Sequence, residues 1–394
     1  MRGGGFCLRL FIKNIMAKQK IFDTALKTVL FLSPIFTFAN YQLSFARGLF
    51  FIIGAFVLFG ISLGLEPRRK FSNIWLSLFL ILALIRIFFD NSFGNDKQIW
   101  FNFWLSCAGF IYVFAGVLIF YVVYTYAGDI KQYLFPIMWV CVLNVILAIA
   151  QISGYDFMWQ HAPSIGGFME NSSQLGQYSA MSLPILFYLN PILALIPLIT
   201  LIIPKSISPI LATAVGMAIL GGFKEIDWKI KAILGVLLVL AGLLNFGYIK
   251  AKFQCRPIMW QKTLKTALQK PYLGWGYGSF REKVTGNKAC DSLGGVEFSR
   301  PHNDYLHTGQ ELGFPILIAI GMFFINLFRK FIAIKNKDRL LLCLAVSVLI
   351  VLVNMSGQTL IRYASIAGTF VVLLALFCIK MDEEISYDKA TDTK

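Results

Sequence analysis

The chain has 394 residues, of which 57% are hydrophobic and 14% charged, and its formal net charge at pH 7 is +16. Soluble domains have about a quarter of their residues charged, so this composition excludes a soluble globular protein. Apolar runs of about 20 residues recur from end to end, and each is long enough to cross a bilayer. The sequence therefore predicts an all-α fold, a polytopic helical bundle that forms a single membrane domain over residues 1–394.

The hydropathy pattern predicts about twelve transmembrane helices. Their expected limits are 21–40, 46–65, 71–89, 102–127, 133–152, 174–189, 191–204, 207–222, 231–249, 313–328, 340–355 and 364–379. Proline residues interrupt the sixth to eighth of these spans, a pattern that is typical of broken or re-entrant membrane helices.

Basic residues fall on alternate turns of this order. They crowd the N-terminal stretch 2–20 and the turns 68–70, 224–231 and 329–339, whereas the short turns between these carry one basic residue or none. Cytoplasmic loops of membrane proteins are enriched in Lys and Arg. The pattern therefore predicts that both termini are cytoplasmic and that residues 381–394 form a cytoplasmic tail.

Residues 250–312 form the one long loop, and the same order of spans places this loop on the external side. It has ten basic and five acidic residues. A long loop can be exported whatever its charge, so the loop is either a solvated basic face or a surface that binds an anionic substrate at the membrane. Cys255 and Cys290 are its only cysteines and would form a disulfide if the compartment is oxidising.

Polar and turn-forming residues crowd together at 299–315, at the end of this loop. Asn303 or Asp304 is expected to cap a short helix, and Gly313 is expected to end it. His302 then lies at the N-terminal mouth of that helix, where backbone N–H groups favour an anion.

The same short helix carries two further ionisable residues. His307 and Glu311 are four residues apart and are expected on one face. A zinc site made of His302, His307 and Glu311 is disfavoured, because the sequence has no His-Glu-x-x-His pattern. His307 is therefore interpreted as a structural neighbour of the site.

A glycine-rich turn lies earlier in the loop, where Gly274, Gly276 and Gly278 alternate with Trp275 and Tyr277. Glycine lets a backbone approach a ligand closely and permits positive φ angles. The aromatic side chains offer flat faces for sugar rings, or an anchor at the membrane interface. The turn is not a P-loop, because no Gly-Lys-Ser/Thr follows it.

One charged residue lies near the outer end of the third span. A charge within a membrane span marks a functional site by default, but an Arg near the end of a span can also extend its guanidinium to the interface. Both interpretations stay open for Arg86.

Together these motifs resemble the signature loop of the O-antigen ligase and O-antigen polymerase superfamily, which includes related bacterial membrane oligosaccharyltransferases. The matching residues are Arg256, Trp260, Pro271, Leu273, Gly274, Gly276, Gly278, Phe280, Pro301, His302, Asn303, Leu306, Glu311 and Gly313. Upstream, residues 166–176 are similar to an external loop of that family, with Ser172 and Ser173 where the family has Pro-Asn. Lys205 stands where the family often has an arginine.

The resemblance implies glycosyl transfer at the external leaflet of the bacterial inner membrane. The donor is then a glycan on undecaprenyl diphosphate, and the acceptor is a sugar hydroxyl of lipid A-core or of a second lipid-linked glycan. The family resembles inverting transferases that use neither metal nor nucleotide sugar, so no cofactor and no nucleic-acid partner is expected. Ligase and polymerase share the motif, and the single compact loop favours the ligase.

A transporter of lipid-linked sugar is the hypothesis from a different class. It is disfavoured because charged groups are sparse in the spans and the two halves show no internal repeat.

Within the resemblance, two residues are predicted to carry the chemistry. Arg256 would clamp the diphosphate, because arginine binds phosphate oxygens in bidentate fashion. His302 would act as the general base, or would bind phosphate as imidazolium. The predicted substrate-binding residues are Arg300, Lys205, Asn303, Glu311, Gly274, Gly276, Gly278 and Arg86, and no metal ligand is predicted.

Overall fold

The computed structural model describes residues 4–35, 43–71, 73–88, 96–155, 165–169, 172–202, 207–221, 246–284 and 300–392. Over these ranges the chain forms helices and turns and no β-strand. The prediction of an all-α fold is therefore confirmed for the described part of the chain.

Fourteen α-helices are seen in these ranges. They are α1 (Gly4–Ile35), α2 (Leu43–Ser62), α3 (Ile74–Phe88), α4 (Asp96–Tyr126), α5 (Leu134–Ile152), α6 (Ser172–Leu189), α7 (Leu195–Ile202), α8 (Ile207–Gly221), α9 (Phe246–Gln269), α10 (Phe280–Val284), α11 (Asp304–Leu312), α12 (Phe314–Ala333), α13 (Arg339–Met355) and α14 (Ala364–Asp392). Short 3-10 turns at Ile130–Tyr133 and Pro191–Ala194 precede α5 and α7.

Helices lie at the predicted spans wherever the structure describes them. Four helical segments are long and apolar enough to cross a membrane: Gly109–Tyr126, Ile130–Ile152, Phe314–Ala333 and Ala364–Thr391. The predicted span 231–249 lies mostly outside the described residues, and only its last four residues belong to α9. The structure thus supports a multi-pass membrane protein, whereas the count of twelve spans is not confirmed.

Helix α6 forms the centre of the bundle. Every residue from Gln174 to Phe187 is buried, and the helix packs against α5, α7, α8, α13 and α14. Polar side chains of α6 form hydrogen bonds within the bundle. For example, the Ser179 hydroxyl lies 2.7 Å from the Thr200 hydroxyl. Such interhelical hydrogen bonds help to hold membrane helices together where the hydrophobic effect between helices is weak.

Two of the basic turns, 68–70 and 329–339, meet α14 at one end of the bundle, called the opposite end below, whereas the turn 224–231 lies outside the described residues. There the Arg69 guanidinium donates to the Ala127 carbonyl (3.0 Å) and pairs with Glu383 (3.0 Å), and Lys380 pairs with Asp338 (2.8 Å). The predicted tail is not separate from the bundle, because α14 continues as a helix to Asp392. The basic residues of these two turns thus lie together in the described structure, while their assignment to the cytoplasm stays a prediction.

The other end of the bundle, called the site end, includes the turn 165–169 and the described part of the loop 250–312. The N–H groups of Gly166 and Gly167 donate to the Gln151 amide oxygen (3.1 and 2.9 Å), so this turn is tied to the end of α5. The predicted loop 250–312 is largely helical where it is described, since it contains most of α9 together with α10 and α11. Its helix α11 packs against α9 and α12.

Candidate active site at the end of α11

The short helix predicted at the end of the long loop is α11. The Asn303 side chain caps it by accepting a hydrogen bond from the Leu306 N–H (3.0 Å). Gly313, with φ of 87°, ends it. The Asn303 amide also donates to the Ser356 carbonyl (2.9 Å). The cap therefore fixes the N-terminus of α11 to the segment that joins α13 and α14.

That segment, residues 356–363, is called the 356–363 turn and forms one wall of the site. Asp304 at the start of α11 is buried, and its carboxylate accepts hydrogen bonds from the N–H groups of Leu360 (2.6 Å) and Ile361 (3.2 Å). Burial raises the pKa of Asp304 to about 6, although the two hydrogen bonds and the charges of Arg362 and Arg300 act in the opposite direction and lower it. A single carboxylate thus organises the middle of the turn.

His302 precedes the cap and has an unusual backbone. Its φ of 50° is the only positive φ of a non-glycine residue in the described ranges, and such strain is concentrated at functional sites. Its Nδ1 atom lies 3.2 Å from the amide oxygen of Gln358. Because an amide oxygen only accepts hydrogen bonds, Nδ1 is the donor in this contact, and in the neutral imidazole the lone pair is then on Nε2. This tautomer suits a general base.

Arg256 on α9 reaches the same turn. Its side chain is buried, and Nη1 donates to the Gly357 carbonyl (2.7 Å). The next residue of the turn is Gln358, the partner of His302. The two residues predicted to carry the chemistry are therefore held by neighbouring residues of one turn, although 46 positions separate them in the sequence.

Arg300 adds a third cation at this turn. Its guanidinium lies over the Tyr363 ring, 4.9 Å from the ring centre. Just after it, the Trp260 indole on α9 donates to the Pro301 carbonyl (2.9 Å), so the chain that leads to His302 is fixed against α9. The predicted substrate-binding residues Arg300 and Asn303 thus lie beside the predicted catalytic pair.

Glu311 lies fully buried near the other end of α11 and accepts several hydrogen bonds. Its carboxylate accepts from the His307 Nε2–H (3.0 Å), from the Gly278 N–H (2.9 Å) and from the Arg362 guanidinium. Burial raises the pKa of Glu311, but the charge of Arg362 and the bond from His307 outweigh burial and lower it. Glu311 is therefore a carboxylate at neutral pH.

His307 completes this buried group. Burial, followed by the nearby Arg362 charge, lowers the pKa of His307 to about 4, so the imidazole is neutral at pH 7. Its ring also meets the Phe280 ring edge-on, with 5.2 Å between centres. His307 is thus a structural neighbour that holds Glu311, in agreement with its interpretation from the sequence.

The glycine-rich turn packs against the end of α11. The N–H groups of Trp275 and Gly276 donate to the Gln310 and Glu311 carbonyls (2.9 and 2.8 Å). Gly274, Gly276 and Gly278 all have positive φ angles, of 64°, 103° and 75°. The close approach expected of these glycines is thus made to the protein's own backbone, and their role in substrate binding stays a prediction.

The Gly274→Ala variant is expected to be less stable than the wild type by about 2–5 kcal/mol. A Cβ atom there would lie 2.4 Å from both the C and O atoms of Glu311, at a φ that alanine rarely adopts. Thermal unfolding of the detergent-purified protein measures the change. Gly321→Ala on α12 is the matched control, because nothing lies within 4 Å of its added Cβ. Equal unfolding temperatures for the two variants would contradict this packing.

Arg86 is buried, with 2% of its surface exposed, at the end of α3. Its Nε atom lies 3.5 Å from the Glu311 carbonyl, where a positive charge is favourable near the C-terminus of α11. The side chain therefore does not extend to the interface. It meets the end of α11 that carries Glu311, and its role in substrate binding stays a prediction.

Two sequence predictions fall on residues that the structure leaves undescribed. Lys205 lies outside the described residues. The proposed disulfide also cannot be located, since Cys290 and the side chain of Cys255 lie outside them as well.

An apolar cavity of about 250 Å³ opens below the site, between α2, α3, α4, α12 and α14. Aromatic and aliphatic side chains such as Phe79, Phe323 and Phe370 line it. Tyr112, Tyr277, Thr308 and Arg362 line its site end, and Trp75 at the start of α3 also lines it. The cavity is thus amphipathic, with a long apolar body and one cationic end.

Sequence reasoning did not single out the 356–363 turn, to which five of the predicted site residues bond or lie close. One signal was present, because Arg362 is the single charged residue in this short stretch between two apolar runs. Its contact with Glu311 joins residues 51 positions apart.

Part of this sequence is shared with a known family of proteins. The sequence model of the O-antigen ligase family matches residues 192–321, about a third of the chain. The matched range begins in the 3-10 turn before α7 and ends in α12, so it includes α9, the glycine-rich turn and α11. The resemblance that the loop motifs carry is thereby confirmed. The chain matches no curated protein.

Proposed function

We propose that the chain is a membrane glycosyltransferase that moves a glycan from undecaprenyl diphosphate to a sugar hydroxyl of lipid A-core. The match of residues 192–321 to the O-antigen ligase family supports this proposal. The observation that carries the proposal is the 356–363 turn. It holds Arg256 through Gly357 and His302 through Gln358. A cation and an imidazole are therefore held by adjacent residues of one turn, and Arg362 of the same turn lines the amphipathic cavity.

The cations supply what a diphosphate leaving group requires. Arg256 and Arg300 lie at one turn, and fixed positive charges stabilise the charge that develops on phosphate oxygens as the glycosidic bond breaks. Arginine matches these oxygens with its planar fork of N–H groups. Fixed cations of this kind can act in place of a divalent metal, so we propose that the reaction is metal-independent.

His302 acts on the acceptor. Its Nε2 takes the proton from the attacking sugar hydroxyl, and the oxygen forms a bond to the anomeric carbon of the donor on the face opposite the diphosphate. The bond between that carbon and the diphosphate oxygen breaks, and its electron pair leaves with undecaprenyl diphosphate. The configuration at the anomeric carbon is inverted, and the imidazolium of His302 then returns its proton to water.

The cavity suits the lipid part of such a donor. Its apolar body lies among the membrane helices and its cationic end lies at the site, so an isoprenoid chain in the cavity would present its phosphates to the arginines. We propose that the site end faces the periplasm in the bacterial inner membrane, with residues 250–312 as the external catalytic loop and both termini and the 381–394 tail in the cytoplasm. The basic residues of the opposite end support this orientation.

The test is a transfer assay with purified protein, an undecaprenyl-diphosphate glycan and lipid A-core, in the presence of EDTA. Core-linked glycan is the expected product. The Arg69→Ala variant is the control, because it removes a paired arginine from the opposite end and should retain wild-type activity. Elongated lipid-linked glycan without core-linked product would identify a polymerase. Folded protein that makes neither product, but moves the lipid-linked glycan between leaflets, would replace the proposal with transport.

A further inference from the structure

Arg362 is the charged residue that the site and the apolar cavity share. It lines the cavity, and its side chain is 27% exposed, whereas the Glu311 side chain paired with it has no exposed surface. The guanidinium thus has one side on a buried carboxylate and the other on the open end of the cavity.

Most N–H donors of the Arg362 guanidinium make no hydrogen bond within the described part of the protein. Arginine has five N–H donors. In the described part of the chain, the one hydrogen bond recorded for Arg362 runs from Nη2 to Glu311. In the described residues, no Arg362 nitrogen is among the buried polar atoms that lack a partner, and the side chain is 27% exposed and lines the cavity, so donors remain for a ligand.

Glu311 is placed to hold Arg362 rather than to act on a ligand. Its carboxylate has no exposed surface and already accepts from His307 and Gly278. These donors sit on α11 itself and on the glycine-rich turn that is bonded to α11. The carboxylate is therefore a rigid support, and the guanidinium that it orients is the group that remains available.

A cation at the end of an apolar cavity selects an amphipathic anion. A neutral lipid would leave the remaining N–H donors of Arg362 without acceptors at the cavity end, and a free anion would leave the apolar body of the cavity unfilled. The cavity lining also contains Thr308, whose hydroxyl group is suited to phosphate oxygens.

We propose that Arg362 binds a phosphate group of the isoprenoid diphosphate, and that Glu311, supported by His307, is a positioning residue for Arg362. This inference rests on the proposed function, because it names a second phosphate contact for the same donor. It differs from the role of Arg256, which reaches the turn from α9 and bonds to Gly357. Arg362 marks the point where the lipid chain ends and the diphosphate begins.

The simplest variant is not sufficient as a test. Arg362→Ala leaves the buried Glu311 charge without its partner, and an uncompensated buried charge destabilises a fold. The informative variant is Arg362→Gln combined with Glu311→Gln, which removes both charges and keeps two side chains that can bond to each other. Thermal unfolding shows whether the double variant is folded.

The experiment measures binding of farnesyl diphosphate and of farnesol to the full-length protein in lipid nanodiscs. The double variant is expected to bind farnesyl diphosphate about 10- to 100-fold more weakly than the wild type, the range of one charge-assisted hydrogen bond. Its affinity for farnesol should be unchanged. Arg362→Lys should give an intermediate loss, because the charge remains but the planar fork is lost.

The controls separate this inference from the proposed function. Arg69→Ala should bind both probes as the wild type does. Wild-type affinity for farnesyl diphosphate in a folded double variant would overturn the phosphate role of Arg362, even if transfer activity is found. The converse result is a wild-type protein that binds farnesyl diphosphate more tightly than farnesol through Arg362 and yet transfers no glycan. That result would support the phosphate site and contradict the proposed transferase activity.

Discussion

Glycan transfer by the His302→Ala variant is expected to be about 10²- to 10⁴-fold slower than by the wild type, the usual contribution of a general base. The physical reason is the hydrogen bond to Gln358, which holds the proton on Nδ1 and leaves the Nε2 lone pair for the acceptor hydroxyl. The effect should appear in kcat with little change in donor affinity, because the proton moves only in the transition state. Steady-state kinetics with varied donor concentration measure both.

A second variant distinguishes the two roles that the sequence left open for His302. Gln358→Glu places a carboxylate on the imidazole and so stabilises the imidazolium. If His302 is the base, activity of this variant should be lower near neutral pH and should recover at higher pH. If His302 instead binds phosphate as imidazolium, activity should extend to higher pH than in the wild type. The direction of the shift in the pH profile therefore contradicts one role or the other.

The parts of the site that the sequence predicted are local ones. Asn303, Gly313 and the pair of His307 and Glu311 all lie within eleven consecutive residues. Helix capping and the i,i+4 spacing act over one or two turns, so the residue pattern alone contains enough information to place them. The structure has the cap at Asn303 and the pair at 3.0 Å.

The parts that the sequence did not predict are tertiary. His302 meets Gln358 across 56 positions, and Glu311 meets Arg362 across 51. Both contacts depend on how α13 and α14 pack beside α11, and no local pattern encodes that packing. The 356–363 turn is short, and its role is visible only once the two helices bring it to the end of the loop.

The glycine-rich turn shows a related ambiguity. A run of alternating glycines indicates close backbone approach, and this is correct, since an added Cβ at Gly274 would meet Glu311 at 2.4 Å. The pattern does not name the partner, because a ligand and the protein's own backbone require the same absence of a side chain. In the described structure the partner is the end of α11.

Apolar runs predicted where helices lie more accurately than how many of them span the membrane. Helix α7 has 8 residues and α3 has 15, whereas about 20 are needed to cross a bilayer. Hydropathy locates apolar segments, but the length of each regular helix also depends on prolines and on neighbouring helices. Pro191 and Pro197 in and around α7 are an example.

The Arg256→Gln variant is expected to lower kcat for glycan transfer by about 10²- to 10³-fold, the loss typical of removing one preorganised group that stabilises developing charge. Arg256 donates to the Gly357 carbonyl at 2.7 Å, and a glutamine amide can offer the same kind of donor without the charge. The fold of the turn should therefore be kept, while the leaving diphosphate loses a cation. Steady-state kinetics, with thermal unfolding as the check on folding, provide the measurement.

Arg256→Gln is compared with the double variant Arg362→Gln/Glu311→Gln, because the two changes should affect different kinetic constants. Arg362 lies at the cavity, where it would contact the donor before and during reaction, so its loss should mainly weaken donor binding. Arg256 lies beside His302, where charge develops as the glycosidic bond breaks, so its loss should mainly slow the chemical step. A kcat within twofold of the wild type for Arg256→Gln, together with weaker donor binding, would show that both arginines serve binding alone. Another cation of the site, such as Arg300, would then have to neutralise the charge on the leaving group.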